Sequence, residues 1–139
     1  MGTNQEKDVL LSVRPQYANL LVEGVKTVEL RRRFPVDLVE GSRCLIYSTS
    51  PVQKVIGECK ILSVQRLPVP ELWEKCALEA MIPWEGFSSY FGGVDHGYAV
   101  RMYGHVRYEK EKNLEDVTGQ NSKAPQSYRY VPRDPSPTV

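Results

Sequence analysis

The sequence has almost no excess charge of either sign. Its 18 Lys and Arg residues are balanced by 17 Asp and Glu residues, and the formal net charge is +1 at pH 7. A nearly neutral protein does not attract a polyanion through its overall field. If this protein binds nucleic acid, its cations must therefore be concentrated in one local patch.

Cysteine is scarce, and so are metal-binding motifs. Cys44, Cys59 and Cys76 form no CxxC motif and no Cys/His pair, so the sequence predicts neither a zinc site nor another metal or cofactor. An odd number of cysteines also disfavours a disulfide framework. We expect three small, buried, apolar side chains in a reducing compartment.

Long apolar runs are absent as well. No stretch approaches the 18 or so residues of a membrane span, and no signal-peptide core is visible. We therefore expect a cytoplasmic protein without a membrane partner. The length of 139 residues fits one domain, which we place at residues 8–131, between a flexible N-terminus (1–7) and a disordered, proline-rich tail (132–139).

The hydrophobic pattern changes period several times along the chain. Period-two or β-branched runs predict strands, and apolar residues at helical spacing predict helices. The predicted elements are strands at 8–13, 26–33, 43–48, 52–67, 97–109 and 125–131, helices at 15–23, 68–80 and 83–93, and a helical turn at 113–117. Because the helices are bunched rather than alternating with strands, the pattern favours an α+β domain with a mixed sheet or small barrel.

Positive charge is concentrated in the stretch KTVELRRR, residues 26–33. Its alternation predicts a half-buried strand with Val28 and Leu30 facing the core, and it places Glu29 and Arg31 about 7 Å apart on the other face. Lys26 lies at the strand entrance, just after Gly24, the expected end of the preceding helix. These three polar side chains would line a cleft, or else form a solvated row of ion pairs.

The stretch GVKTVELR, residues 24–31, fits the GxKxxExR pattern of ASCH domains, within the PUA-like superfamily. The resemblance extends from Val9 to Val131. It implies a small PUA-like mixed β-barrel with flanking helices, and a cleft beside the barrel that binds RNA or nucleotides. By the same resemblance, Lys26, Glu29 and Arg31 would be the cleft residues.

Other polar residues are candidates for the same ligand. Arg14 is either a second phosphate contact or a surface cation at a helix start. Tyr47 and Ser48 end a strand, where their hydroxyls would contact a base edge or a sugar, or would form an ordinary turn. In the last strand Gln126 or Ser127 would bond a base whose ring stacks on Tyr128, unless Tyr128 closes the barrel as a packed aromatic side chain.

The resemblance leaves the question of catalysis open. One group of ASCH proteins hydrolyses the amide of 4-acetylcytidine with a Lys-Thr-Glu set. Lys26 matches the lysine, Glu29 occupies the threonine position, and Glu79 aligns loosely with the glutamate. Other members are described as ribonucleases. We expect an RNA- or nucleotide-binding module, and the alternatives are a small amidohydrolase acting on a modified nucleoside or a ribonuclease.

Overall fold

A computed structural model describes residues 7–119 and 123–132 of the chain. Within these residues the protein has six strands and four helices. In chain order they are β1 (Lys7–Val13), α1 (Pro15–Val22), β2 (Val28–Arg31), β3 (Arg43–Ser48), β4 (Lys54–Pro68), α2 (Val69–Ala80), α3 (Trp84–Tyr90), β5 (His96–Lys112), α4 (Leu114–Thr118) and β6 (Tyr128–Pro132). No helix in this part of the chain combines the length and apolar character needed to cross a bilayer.

The strands form one mixed sheet in the order β2-β5-β4-β3-β1-β6. Strands β1 and β3 are parallel, and every other neighbouring pair is antiparallel. The α+β class predicted from the sequence is confirmed. Among the described residues no backbone pairing joins β2 to β6, the two ends of this order, so closure of the sheet into a barrel remains a prediction.

Helices α1, α2 and α3 cover two separate apolar clusters. In one cluster α1 packs on β1, β3, β4 and β5. In the other, Val28 and Leu30 of β2 pack with α2 and α3, as their apolar alternation predicts. The intervening residues, Glu29 and Arg31, therefore point away from α2 and α3.

Strand β2 departs from its predicted burial. All four of its residues are buried, and Glu29 and Arg31 are only 7% and 8% exposed. The prediction of a half-buried strand was wrong, because other segments of the chain cover the polar face of β2. Burying charged side chains is costly unless they are paired, so their partners decide how the site is built.

Gly57 produces a bulge in the long strand β4, as a glycine inside a strand pattern indicates. The pairing register with β3 shifts between Ile46 and Tyr47, and the register with β5 shifts between Val55 and Gly57. A Cβ atom at Gly57 would lie 2.2 Å from the carbonyl oxygen of Val106. Only glycine permits this close approach of two backbones.

The three cysteines are free and buried, as predicted. Their burial raises the pKa of each thiol, in the case of Cys59 to about 12. The predicted flexible segments, 1–7 and 132–139, lie outside the described residues except for Lys7, the first residue of β1, and Pro132, the last residue of β6.

Candidate functional site

Lys26 is positioned by the end of helix α1. Gly24 adopts φ +77°, and the amides of Gly24 and Val25 donate to the carbonyl oxygens of Leu21 and Leu20 at 3.1 and 3.0 Å. This Schellman arrangement needs a left-handed residue, which glycine adopts at little cost. The amide of Lys26 also donates to Leu20, at 3.0 Å. The chain therefore reverses directly after the helix, as the position of Gly24 predicted.

The Lys26 side chain is buried, with 3% of the residue exposed. Its ammonium donates to the carbonyl oxygen of Ala80, lies 3.3 Å from Glu29 Oε1, and stands 5.3 Å from the ring centroid of Tyr17. Burial lowers the pKa of Lys26, and this effect exceeds the opposing attraction of Glu29. Lys26 is thus a desolvated ammonium held by three groups.

Glu29 lies between two cations. Its Oε1 faces Lys26, while its Oε2 accepts a hydrogen bond from Arg31 Nε at 2.7 Å and lies 2.6 Å from Arg31 Nη2. Burial disfavours the carboxylate, but the charges of Arg31 and Lys26 outweigh that cost and lower the pKa of Glu29. The trio therefore carries a net charge of one positive unit in a mostly buried place.

The guanidinium of Arg31 connects three segments of the chain. Besides its bonds to Glu29, Nη1 donates to Ser127 Oγ at 3.1 Å and Nη2 donates to the Ser12 carbonyl oxygen at 2.8 Å. Every nitrogen of Arg31 consequently has a protein partner. Its planar fork of donors suits this joining role better than a lysine would.

A cavity of about 640 Å³ opens over this network. Its wall comes from the corner between β1 and α1, from β2, from α3 and the end of α2, and from the segment before β6. The lining residues are Ser12, Val13, Arg14, Tyr17, Lys26, Glu29, Leu30, Arg31, Thr49, Ala80, Ile82, Gly86, Ser89, Tyr90, Pro125 and Gln126. The cavity falls within the size range of small-molecule sites in proteins.

The cavity brings together many of the polar residues singled out from the sequence. Five of these residues line it: Arg14, Lys26, Glu29, Arg31 and Gln126. Ser127 contacts the site through Arg31. Arg14 is exposed, whereas Lys26 and Arg31 are buried, so these cations sit in different solvent environments.

Other predicted residues lie away from the cavity. Tyr47 is 6% exposed and packs in an apolar cluster with residues of β1, β4 and β6. Ser48 is 1% exposed and does not line the cavity, but the next residue, Thr49, does. The ring of Tyr128 packs against Phe34 at 5.5 Å between centroids.

Glu79 is also outside the cavity lining. Its side chain is 47% exposed, and its Oε1 accepts a hydrogen bond from Arg101 Nη1 at 2.8 Å. Only its carbonyl oxygen approaches the strand of the motif, where it accepts a hydrogen bond from the amide of Thr27. The residue that reaches Lys26 from helix α2 is the next one, Ala80, through its backbone oxygen.

Sequence reasoning missed the two tyrosines of the cavity wall. By its spacing Tyr17 belongs to the apolar face of α1, and the aromatic run around Tyr90 is typical of a core. Tyr90 is held by Arg32, whose amide donates to the Tyr90 hydroxyl at 3.1 Å and whose guanidinium lies 5.1 Å from the ring centroid. No local spacing links residues 32 and 90, so this signal is not visible in the sequence.

Comparisons with known proteins agree with this fold. The chain is 30% identical over 130 residues to a protein named ASCH domain-containing ribonuclease from Zymomonas mobilis subsp. mobilis, covering 92% of this chain and 86% of that protein. The crystal structure of ASCH from Zymomonas mobilis matches with a TM-score of 0.84 and 29% identity, over 92% of this chain and 89% of that one. The N-terminal domain of Staphylothermus marinus McrB has a similar fold, with a TM-score of 0.52, 13% identity and coverage of 83% and 80%.

A family model described as ASCH domain matches residues 11–126. This range includes the GxKxxExR segment, the buried trio that it encodes and every lining residue of the cavity. The resemblance inferred from the sequence is therefore confirmed, and the chain belongs to the ASCH domain family.

Proposed function

We propose that this protein binds single-stranded RNA, or a nucleotide unit of it, in the cavity above the Lys26–Glu29–Arg31 trio. The observation that carries the proposal is that this buried ionic trio and two tyrosines line the same cavity. A ligand with a planar ring, a polar edge and nearby negative charge matches these groups. The relative named ribonuclease supports RNA as the source of such a ligand.

The aromatic wall suits an unstacked base. Proteins that recognise single-stranded RNA stack splayed bases on aromatic side chains and bond their edges. Tyr17 and Tyr90 come from different helices, α1 and α3, and both line the cavity. Gln126, also in the lining, is exposed and offers both a donor and an acceptor to a base edge.

The ionic trio places polar groups in fixed positions at the floor of the cavity. Lys26, Glu29 and Arg31 hold one another in place before any ligand enters, so binding requires little reordering of long side chains. A ligand group at the floor meets N–H donors of fixed direction in a poorly solvated place, where a hydrogen bond is stronger than in water.

Cleavage of RNA is the second candidate, and the name of the Zymomonas mobilis relative favours it. A lysine paired with Glu29 is better suited to stabilising a developing negative charge than to removing a proton. Lys26 would then act on the phosphoryl group, and this role requires the cleaved phosphate to enter the cavity as far as the floor.

Two tryptophan substitutions on α3 test binding at the cavity. Ser89 lines the cavity and Ser88 does not, yet both are exposed residues of the same helix. We expect Ser89→Trp to weaken binding of a labelled single-stranded RNA of about 12 nucleotides by about tenfold or more in fluorescence anisotropy, and Ser88→Trp to bind as the wild type does. Equal binding by both variants would refute the cavity as the site.

Cleavage is tested with a DNA strand that contains a single ribonucleotide. Cutting at that position by the wild type, abolished in Lys26→Met protein purified in parallel, would establish a ribonuclease that needs Lys26. Equal cutting by both proteins would indicate a contaminating nuclease. Intact substrate, together with anisotropy that reports binding, would leave the protein as a binding module.

A further inference from the structure

The cations around the cavity fall into two groups that differ in their partners. At the floor, Lys26 and Arg31 are both paired with Glu29, and the trio keeps one net positive charge. At the mouth, Arg14 is exposed, lines the cavity and makes no ion pair with any described residue. The cation that has no carboxylate partner among the described residues therefore lies at the mouth.

Arg32 does not line the cavity, but it contacts a residue that does. Its guanidinium lies over the ring of Tyr90, 5.1 Å from the centroid, and Tyr90 lines the cavity. Arg32 is exposed and has no carboxylate partner among the described residues. A guanidinium stacked on an aromatic ring keeps its edge donors free, so it can bond phosphate while holding the ring.

Arg14, in the cavity lining, and Arg32, beside the lining residue Tyr90, belong to different parts of the fold. Arg14 precedes α1 and follows β1, whereas Arg32 follows β2 and contacts α3. Glu85, the acidic residue of α3, is not one of the lining residues. A ligand with negative charge on both sides of a neutral ring would satisfy both arginines.

Resting on the proposed function, we propose that the base and ribose of one nucleotide enter the cavity while its two flanking phosphates bind Arg14 and Arg32 at the mouth. The ligand class is then a nucleotide inside a strand, with phosphate on both sides, rather than a free nucleoside. The floor trio contacts the neutral part of the ligand by hydrogen bonds. The arrangement also separates the two candidate functions, because a phosphate at the mouth does not reach Lys26.

Salt dependence distinguishes the two groups of cations. For single-stranded nucleic acid, a plot of the logarithm of the binding constant against the logarithm of the salt concentration has a slope of about −0.7 for each phosphate that the protein neutralises. We would measure anisotropy of the labelled RNA of about 12 nucleotides between about 50 and about 200 mM KCl. Arg14→Gln and Arg32→Gln should each make the slope shallower by about 0.7, and Arg66→Gln, at an exposed arginine outside the cavity lining, should not.

Lys26→Met gives the contrasting result. We expect it to weaken binding while leaving the slope at the wild-type value, because Lys26 does not contact phosphate. If Lys26→Met makes the slope shallower, and Arg14→Gln and Arg32→Gln leave it unchanged, the phosphates lie at the floor and this proposal is overturned while RNA binding stands. Thermal unfolding checks that Lys26→Met is folded. If it is not, the two arginine variants alone decide.

Competition with unlabelled ligands tests the ligand class. A trinucleotide with phosphates on both sides of its central base should displace the labelled RNA at far lower concentration than a mixture of the four free nucleosides. Equal displacement would overturn the requirement for flanking phosphates. Absence of RNA binding by the wild type, or equal binding by the Ser89→Trp and Ser88→Trp proteins, would instead mean that the proposed function itself has failed.

Discussion

Arg31 donates from Nη2 to the carbonyl oxygen of Ser12 at 2.8 Å, and this bond joins strand β2 to the strand β1. The two strands are not neighbours in the sheet order, so a side chain connects them where the backbone does not. The same guanidinium neutralises Glu29. Arg31 therefore supports the walls of the cavity as well as lining it.

Removal of Arg31 should destabilise the whole domain. In Arg31→Ala the Glu29 carboxylate keeps only Lys26 as a charged partner, and breaking a buried ion pair in this way typically costs about 3–5 kcal/mol. Urea unfolding should show a loss of this size. Arg33→Ala, at an exposed neighbour, should change the free energy of unfolding by less than about 0.5 kcal/mol. Similar losses in both variants would contradict the joining role.

Acidification should weaken the fold through Glu29. The folded-state pKa of this carboxyl is below its ordinary value of 4.5 because Arg31 and Lys26 outweigh the effect of burial. The unfolded chain therefore binds the proton more readily, and the stability from Glu29 is present above pH 4.5 and is lost as pH falls through the folded-state pKa.

The variant Glu29→Gln isolates this contribution. At neutral pH it should be less stable than the wild type by about 3–5 kcal/mol, since two cations then lack their carboxylate. The difference should shrink as pH falls below 4.5, the ordinary value for the carboxyl. Urea unfolding at several pH values measures it, and a difference that does not change with pH would rule out Glu29 as the titrating group.

The predictable part of the site is the part encoded by local spacing. Glu29 and Arg31 are two residues apart on a strand, so their side chains had to share a face. Gly24, in the left-handed conformation, had to end the helix and place Lys26 at the entrance of the same strand. The burial of that face was not predictable from local spacing, because Arg31 donates a hydrogen bond to Ser127, which is 96 positions later in the sequence. Burial of β2 on both sides depends on such distant contacts.

The same reasoning explains the predictions about other residues. The bulge in the long strand β4 was predictable because a glycine inside a strand pattern indicates a bulge, and Gly57 lies at one. The environment of Glu79 was not visible, because helical position alone does not reveal that Arg101, on β5, pairs with it. Tyr17 and Tyr90 lie on helices with apolar faces, and a sequence does not distinguish an aromatic side chain in a cavity wall from one in the core.

Alanine substitutions at two glycines should have opposite effects. In Gly57→Ala the new Cβ would meet the Val106 carbonyl oxygen at 2.2 Å, and overpacking of this kind typically costs about 1–3 kcal/mol or more. In Gly86→Ala the nearest atoms are side-chain carbons of Ile82 and Pro83 at 3.5 Å or beyond, so the helix should gain up to about 1 kcal/mol. If thermal unfolding shows that both substitutions lower the midpoint equally, the close approach at Gly57 is contradicted.

Glu79 should be dispensable for ligand binding. Its side chain pairs with Arg101 and does not line the cavity, so Glu79→Gln should bind RNA as the wild type does and should change stability by less than about 1 kcal/mol. A matched measurement with Gln126→Ala, a change in the cavity lining, should show weaker binding. Loss of binding in Glu79→Gln would require the ligand to extend beyond the cavity toward Arg101.

Tyr17 should contribute to binding through its ring rather than its hydroxyl. The ring lines the cavity and stands 5.3 Å from the Lys26 ammonium, while none of the described hydrogen bonds involves the hydroxyl. Stacking of a base on an aromatic side chain is worth about 1–3 kcal/mol, so Tyr17→Leu should weaken RNA binding by about tenfold and Tyr17→Phe should preserve it. If anisotropy gives equal affinities for the two variants, the ring does not stack on a base, and Tyr17 serves only to pack α1 over Lys26.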